Sequence, residues 1–228
     1  MKPNPIIVAL DVESADEARA LVNRLGTHVD FYKVGMELYA AAGMPIVHEL
    51  LDRGKSVFLD LKLYDIPETV KRTVARVATT GVRFLTVHAV GSVMRAAVEG
   101  KGPSRLDLLA VTVLTSFGRE DLDDLGYSCE VSDLVAVRTR QALAAGVKGL
   151  VASPREAAAV RQLAGPGAII VTPGVRSAGR AVGDQKRVAT PAQAIRDGAD
   201  YLVMGRQITR AADPAAEAAT VLEEIAAG

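Results

Sequence analysis

The stretch SVFLDLKLYDIPETVKRTVARVATTGVRFLTVH, from Ser56 to His88, reads as one complete strand–helix–strand unit. Ser56–Leu61 is a short, mostly apolar run of the kind that fills a buried strand. A helical pattern follows from Glu68 to Thr80, and Phe84–His88 is the next apolar strand. Gly81 stands between helix and strand, where such a connection favours a left-handed residue.

The alternation continues in both directions. Further strands are expected at Ile6–Leu10, Phe31–Gly35, Leu108–Leu114, Gly149–Ala152, Ala168–Thr172 and Tyr201–Met204. Helical patterns begin at Ser14, with Glu17 at capping-box spacing, and run from Met44 to Arg53, Ser132 to Ala145, Pro154 to Leu163 and Pro191 to Asp197. The Ala-rich tail from Asp213 to Gly228 reads as a closing helix, and Gly54, Gly146 and Gly198 repeat the role of Gly81. Eight strands alternating with helices in 228 residues, without a linker, imply a parallel sheet. Closure into a single (β/α)8 TIM barrel over residues 1–228 leaves no exposed edge, which makes it the expected α/β architecture. An open doubly wound sheet is the alternative. The first strand runs into Asp11-Val12-Glu13-Ser14 and not into a glycine-rich dinucleotide turn, which counts against that alternative.

Lys plus Arg equals Asp plus Glu, at 27 each, so nothing suggests a protein that coats nucleic acid. A single cysteine, Cys129, excludes an internal disulfide and a cysteine-cluster metal site. Three scattered histidines give no metal-ligand spacing; His28 and His48 are expected at the surface, and His88 as a rim or core histidine. The apolar run from Ile6 is too short for a signal core or a membrane span, so a soluble, cytoplasmic protein is expected.

In a barrel, chemistry sits at the C-terminal ends of the strands. Those ends supply Asp11, Lys33, Asp60 with Lys62, His88, Thr115 with Ser116, then Pro173 to Arg176, and finally Gly205-Arg206. Strand side chains alternate, so Asp60 and Lys62 are expected to share the inward face while Leu61 points to the helices. Lys33 is expected inward as well, with Phe31 and Gly35 on its face. Inward charges cost several kcal/mol, on the order of the penalty for any buried ion, unless they are paired. Two lysines and two carboxylates, Asp60 and Asp65, crowd the ends of strands two and three. The plain alternative is a structural ion-pair network. At the other side of the mouth, Arg176, Gly205 and Arg206, with a short helix from Gln207, suit a phosphate. There the plain alternative is tight turns and solvated arginines. The polar stretch Ser177–Lys186 is a candidate lid.

The run Asp60-Leu61-Lys62-Leu63-Tyr64-Asp65-Ile66-Pro67-Glu68-Thr69 resembles the D-x-K-x-x-D-I-P signature of orotidine 5'-monophosphate decarboxylases. Ala9-Leu10-Asp11, Lys33 to Glu37, Leu114-Thr115-Ser116, Thr172 to Arg176, Asp184 to Pro191 and Gly205-Arg206 extend the likeness along nearly the whole chain, in the style of the short bacterial enzymes. The resemblance implies cofactor-free conversion of orotidine 5'-monophosphate to UMP and CO2 by a homodimer that shares its active sites across the interface. It implies Lys62 as the group that stabilises and protonates C6, with Asp60, Lys33 and the neighbouring subunit's Asp65 completing the charge array. Thr69 would also reach across, and Tyr64 would pack in the interface. Asp11 and Lys33 would hold the ribose, and Thr115 the pyrimidine near Ser116 and Pro173. Arg176, Gln185, Gly205 and Arg206 would form the phosphate end. Two other readings stay open: a Mg²⁺-dependent phosphosugar synthase or lyase on the same barrel, since hexulose-phosphate synthases share D-x-K-x-x-D, and a non-catalytic nucleotide-binding barrel.

Overall fold

The computed structural model describes residues 4–179 and 189–228. Eight parallel strands close into a barrel in sequence order: β1 Ile6–Ala9, β2 Phe31–Gly35, β3 Ser56–Leu63, β4 Phe84–His88, β5 Asp107–Val111, β6 Gly149–Val151, β7 Ile169–Pro173 and β8 Tyr201–Met204. β8 returns to β1 through Ile6↔Leu202, Ile7↔Val203 and Val8↔Met204, which closes the sheet. The helices are α1 Ala15–Leu25, α2 Met36–Asp52, α3 Pro67–Val77, α4 Gly91–Lys101, α5 Arg119–Asp124, α6 Val131–Ala144, α7 Ala157–Ala164, α8 Pro191–Arg196, α9 Arg206–Thr209 and α10 Pro214–Ala227. Among the described residues no helix is long and apolar enough to cross a membrane.

Strand alternation divides the core into two. Ile7, Ala9, Phe31, Phe58, Phe84, Leu109, Val171 and Val203 fill the barrel interior. Their neighbours in sequence, such as Val8, Tyr32, Val34, Leu59 and Leu85, face outward and pack with the helices. The Phe84 ring lies 5.1 Å from that of Phe31, tilted, and 5.3 Å from that of Tyr201, edge-on, so aromatic rings plug the interior below the mouth. Lys33 and Asp60 follow this aromatic layer along β2 and β3, toward the C-terminal end of the barrel.

Local signals place most elements. Ser14 Oγ accepts the Glu17 N–H at the start of α1, and Pro67 opens α3, where a missing N–H is harmless. Several features depart from the expectation, among them the unexpected helix α5 and a β3 that runs on to Leu63. α2 begins at Met36, well before Met44, because Gly43 at φ +61° breaks it in the middle and Pro45 restarts it. β5 stops at Val111 rather than Leu114; the Thr112 carbonyl accepts from Arg138 instead of extending the ladder. Helix α4 was not expected, since Val90 offers no capping side chain and glycines stand at both ends.

The second of those glycines has a packing role. A Cβ on Gly100 would lie 2.2 Å from the Lys71 carbonyl oxygen of α3, a backbone atom that cannot move aside. Gly100→Ala is expected to destabilise the fold by about 1–3 kcal/mol even though alanine is the better helix former. Urea titration of the variant tests this, and an unchanged midpoint would show that α3 and α4 can separate at no cost.

Candidate active site

β2 and β3 pair so that Lys33 lies beside Phe58 and Gly35 beside Asp60. Lys33 and Asp60 are both buried, at 8% and 9% exposure, among the few buried charges described in the protein. Each is compensated. Lys33 Nζ donates to Asp11 Oδ1 at 2.8 Å and stands 3.7 Å from Asp60 Oδ2. Lys62 Nζ donates to the same Asp60 Oδ2 at 2.9 Å. The result is a continuous row of alternating sign, Asp11–Lys33–Asp60–Lys62, across the ends of the first three strands. Each charge in the row has a neighbour of opposite sign, which offsets the cost of burying Lys33 and Asp60.

Gly35 makes room for it. A Cβ there would fall 2.7 Å from Lys33 Nζ and 3.3 Å from Asp11 Oδ1. The group in the way is the end of a flexible side chain, so the fold would yield easily and the charge row would not. Gly35→Ala is expected to leave the melting temperature near that of wild type while lowering kcat/KM by roughly tenfold or more, since displacing a catalytic group by about 1 Å can cost two orders of magnitude. Unchanged kinetics would mean that the ammonium finds an equivalent position.

Lys62 does not sit where plain alternation puts it. Its φ is +48°, the one non-glycine residue described in the left-handed region, and the β3–β4 register shifts between Leu59 and Leu63. Such a backbone costs on the order of 1–3 kcal/mol and persists only when its surroundings hold it. Thr86 of β4 contacts both ends of this irregular turn, donating from Oγ1 to Asp60 Oδ1 at 2.9 Å and accepting the Lys62 N–H at 2.8 Å. The irregularity brings Lys62 Nζ back over Asp60, so the two do meet, by a route that the two-residue spacing alone does not describe.

A cleft of 780 Å³ opens beside this row and joins Asp11 and Lys33 to Pro173, Arg176, Gly205 and Arg206. Arg176 is half-buried, and its guanidinium is pushed below the usual arginine range, first by burial and then by the nearby Arg206. Two cations thus share one end of the cleft, an arrangement that an anion would relieve. Gln207, expected only as the start of a short helix, fixes this end: its Oε1 accepts the Ser177 N–H at 3.0 Å, and its Nε2 donates to Ser177 Oγ and to Glu217 Oε1. A larger cavity of 1110 Å³ lies at the opposite end of the barrel, where strands begin. Its most prominent cation, Arg161, is spent on the carbonyls of Gly165, Ala168 and Gly198 and on Asp200.

Other expected residues stand apart from the cleft in this single chain. Asp65 is exposed and accepts the neighbouring Ile66 N–H, and among the described residues no ion pair joins it to either lysine. Thr69 is half-buried and lines a small recess with Lys62, Tyr64 and Asp65. Thr115 and Ser116 occupy the turn after β5 and do not line the cleft. Gln185, and the expected lid beyond Gly179, lie outside the described residues. His88 is a half-buried rim residue, its ring 5.6 Å from that of Tyr64. Burial, with Arg138 and Lys62 nearby, lowers its pKa and favours the neutral imidazole. His28 and His48 are exposed, as expected.

The family model for "Orotidine 5'-phosphate decarboxylase / HUMPS family" matches residues 4–221. An orotidine 5'-phosphate decarboxylase of Rhodopseudomonas palustris (strain HaA2) is 54% identical over 221 residues, covering 97% of this chain and 94% of that protein. One from Bradyrhizobium diazoefficiens is 51% identical over 220 residues, 96% of this chain and 93% of its own. The crystal structure of an orotidine 5'-phosphate decarboxylase from Lactobacillus acidophilus superposes with a TM-score of 0.86 at 34% identity, covering 97% of this chain and 99% of that one. Likeness of this extent, in sequence and in fold alike, means that the chain belongs to the orotidine 5'-phosphate decarboxylase / HUMPS family.

Proposed function

We propose that residues 1–228 form a single decarboxylase domain that converts orotidine 5'-monophosphate to UMP and CO2, the last step of de novo UMP biosynthesis, using only its own side chains. The carrying observation is the Asp11–Lys33–Asp60–Lys62 row, which ends in an ammonium held by Asp60 at the barrel mouth. Support comes from relatives of about half identity that bear the name of this activity.

In this reading the bond between C6 and the carboxylate carbon breaks, CO2 leaves, and the electron pair stays on C6 in the ring plane. The ring π system cannot take up that pair. Stabilisation must then come from charge already in place, which is where preorganised groups in a dry site are strongest. Of the two lysines in the row Lys62 is the more open, its side chain 27% exposed against 11% for Lys33; it faces the developing carbanion and then delivers a proton from Nζ to C6. Asp60 keeps Lys62 aimed, and Lys33 balances Asp60. Asp11 and Lys33 hold the ribose hydroxyls, while Thr115, Ser116 and Pro173 border the pyrimidine. Arg176, Gln185, Gly205 and Arg206 bind the phosphate.

The same reading makes the protein a cytoplasmic homodimer in which Asp65 and Thr69 complete the partner's site. Asp65 is flanked by Tyr64 and Ile66, 68% and 70% exposed, and large apolar side chains this open beside a site are suited to burial by a second chain. The Mg²⁺-dependent alternative needs carboxylates free to meet a cation. Both oxygens of Asp60 are already engaged, Oδ1 by Thr86 and Oδ2 by Lys62, which favours decarboxylation.

Ultraviolet absorbance of the purified protein with orotidine 5'-monophosphate, with and without EDTA, tests the proposal. Conversion to UMP that is indifferent to chelator is expected. Folded protein that binds UMP yet leaves the substrate intact would overturn it in favour of a binding barrel. Turnover confined to phosphosugars with Mg²⁺ would point to the synthase reading.

A further inference from the structure

Thr86 lies on β4 between the interior Phe84 and the rim His88, and it is completely buried. Between the pairs Leu59↔Leu85 and Leu63↔Val87, β3 advances four residues while β4 advances two. Asp60, Leu61 and Lys62 therefore stand opposite one residue, Thr86. Its hydroxyl ties the two ends of that bulge together, through Asp60 Oδ1 at 2.9 Å and the Lys62 N–H at 2.8 Å. The direction of each bond is fixed. A backbone amide only donates, so the hydroxyl accepts there and its single proton goes to the carboxylate. That leaves Asp60 Oδ2 to face the Lys62 ammonium.

We infer that Thr86 is a positioning residue for the decarboxylation, a role that rests on the functional reading above. It sets the rotation of the Asp60 carboxylate and holds Lys62 in its left-handed backbone conformation, so that the ammonium is aimed before substrate arrives. A regular ladder would send the Lys62 side chain along the strand's ordinary alternation. The bulge re-aims it, as bulges beside active sites do, and the hydroxyl opposite is what keeps the bulge in place. The competing explanation is that Thr86 merely fills buried space, which a valine of the same shape would do equally well.

The test compares Thr86→Val, isosteric but without the hydroxyl, with Thr86→Ser, which keeps it. Thr86→Ala is made beside them because it removes the hydroxyl without any risk of overpacking. The hydroxyl-free variants are expected to lose about 10- to 100-fold in kcat. Their affinity for UMP, measured by titration, is expected to stay within about threefold of wild type, since remote phosphate contacts carry most of it. Thr86→Ser is expected to recover most of the rate. Hydroxyl-free variants that fold, bind UMP and turn over as fast as wild type would overturn the role. So would a Thr86→Ser variant as slow as Thr86→Val, which would trace the effect to the methyl group. A wild-type protein inactive in the same assay would instead remove the functional reading, so the two failures are distinct.

Discussion

Lys62→Ala is expected to lower kcat by at least about 10⁴-fold while the protein still folds and still binds UMP, because one change removes both the charge facing C6 and the proton donor. Each loss alone is worth two to four orders of magnitude, roughly, in comparable sites, and among the described residues no second ammonium is placed to substitute. Lys33 is tied to Asp11 at 2.8 Å and sits deeper, so it can keep Asp60 compensated but does not occupy the place of Lys62. That residual pairing is also why the variant should fold. Asp60 retains the Thr86 hydroxyl and the Lys33 ammonium after Lys62 is gone, and the Lys62 side chain is itself partly exposed. Single-turnover absorbance with UMP titration in parallel separates the two effects. Turnover near the wild-type rate would exclude Lys62 from the mechanism.

The fold was legible because its signals are local and repeated. Phe31–Gly35, Phe84–His88 and Tyr201–Met204 are strands with the expected bounds, since short apolar runs between glycines and helical patterns leave little choice. Helix α4 was not legible. It is held by burying Val93, Met94, Ala96 and Ala97 against its neighbours rather than by any cap, and that burial is a tertiary fact. The site shows the same division. Alternation placed Lys33 and Asp60 inward correctly. It gave Lys62 the right partner by the wrong geometry, because a bulge set by the strand opposite has no signature within Asp60-Leu61-Lys62 itself. The polar residue in FLTVH, two before His88 and so on the inward face, was the available hint of Thr86. The roles implied for Asp65 and Thr69 concern a second copy, on which the geometry of one chain does not bear.

At the phosphate end, the variant carrying both Arg176→Ala and Arg206→Ala is expected to lose about 10²- to 10⁴-fold in kcat/KM for orotidine 5'-monophosphate, taking about 1.5–3 kcal/mol for each charge-assisted hydrogen bond removed. Orotidine, the nucleoside without phosphate, supplies the control. Its slow turnover should be the same for variant and wild type, because these two arginines line the cleft together with Pro173 and Gly205, and Lys62 is not among the residues that line it. Equal losses on both substrates would show instead that the arginines hold the barrel mouth together. Stability offers an independent check. Burial and the nearby Arg206 both disfavour the charged form of Arg176 in the folded protein. At neutral pH the guanidinium is charged in the folded and unfolded chains alike, so this crowding weighs against the folded state until an anion arrives. UMP is therefore expected to raise the melting temperature of wild type much more than that of the double variant. A variant that melts well below wild type without ligand would make these arginines structural and leave the phosphate to be held by other groups.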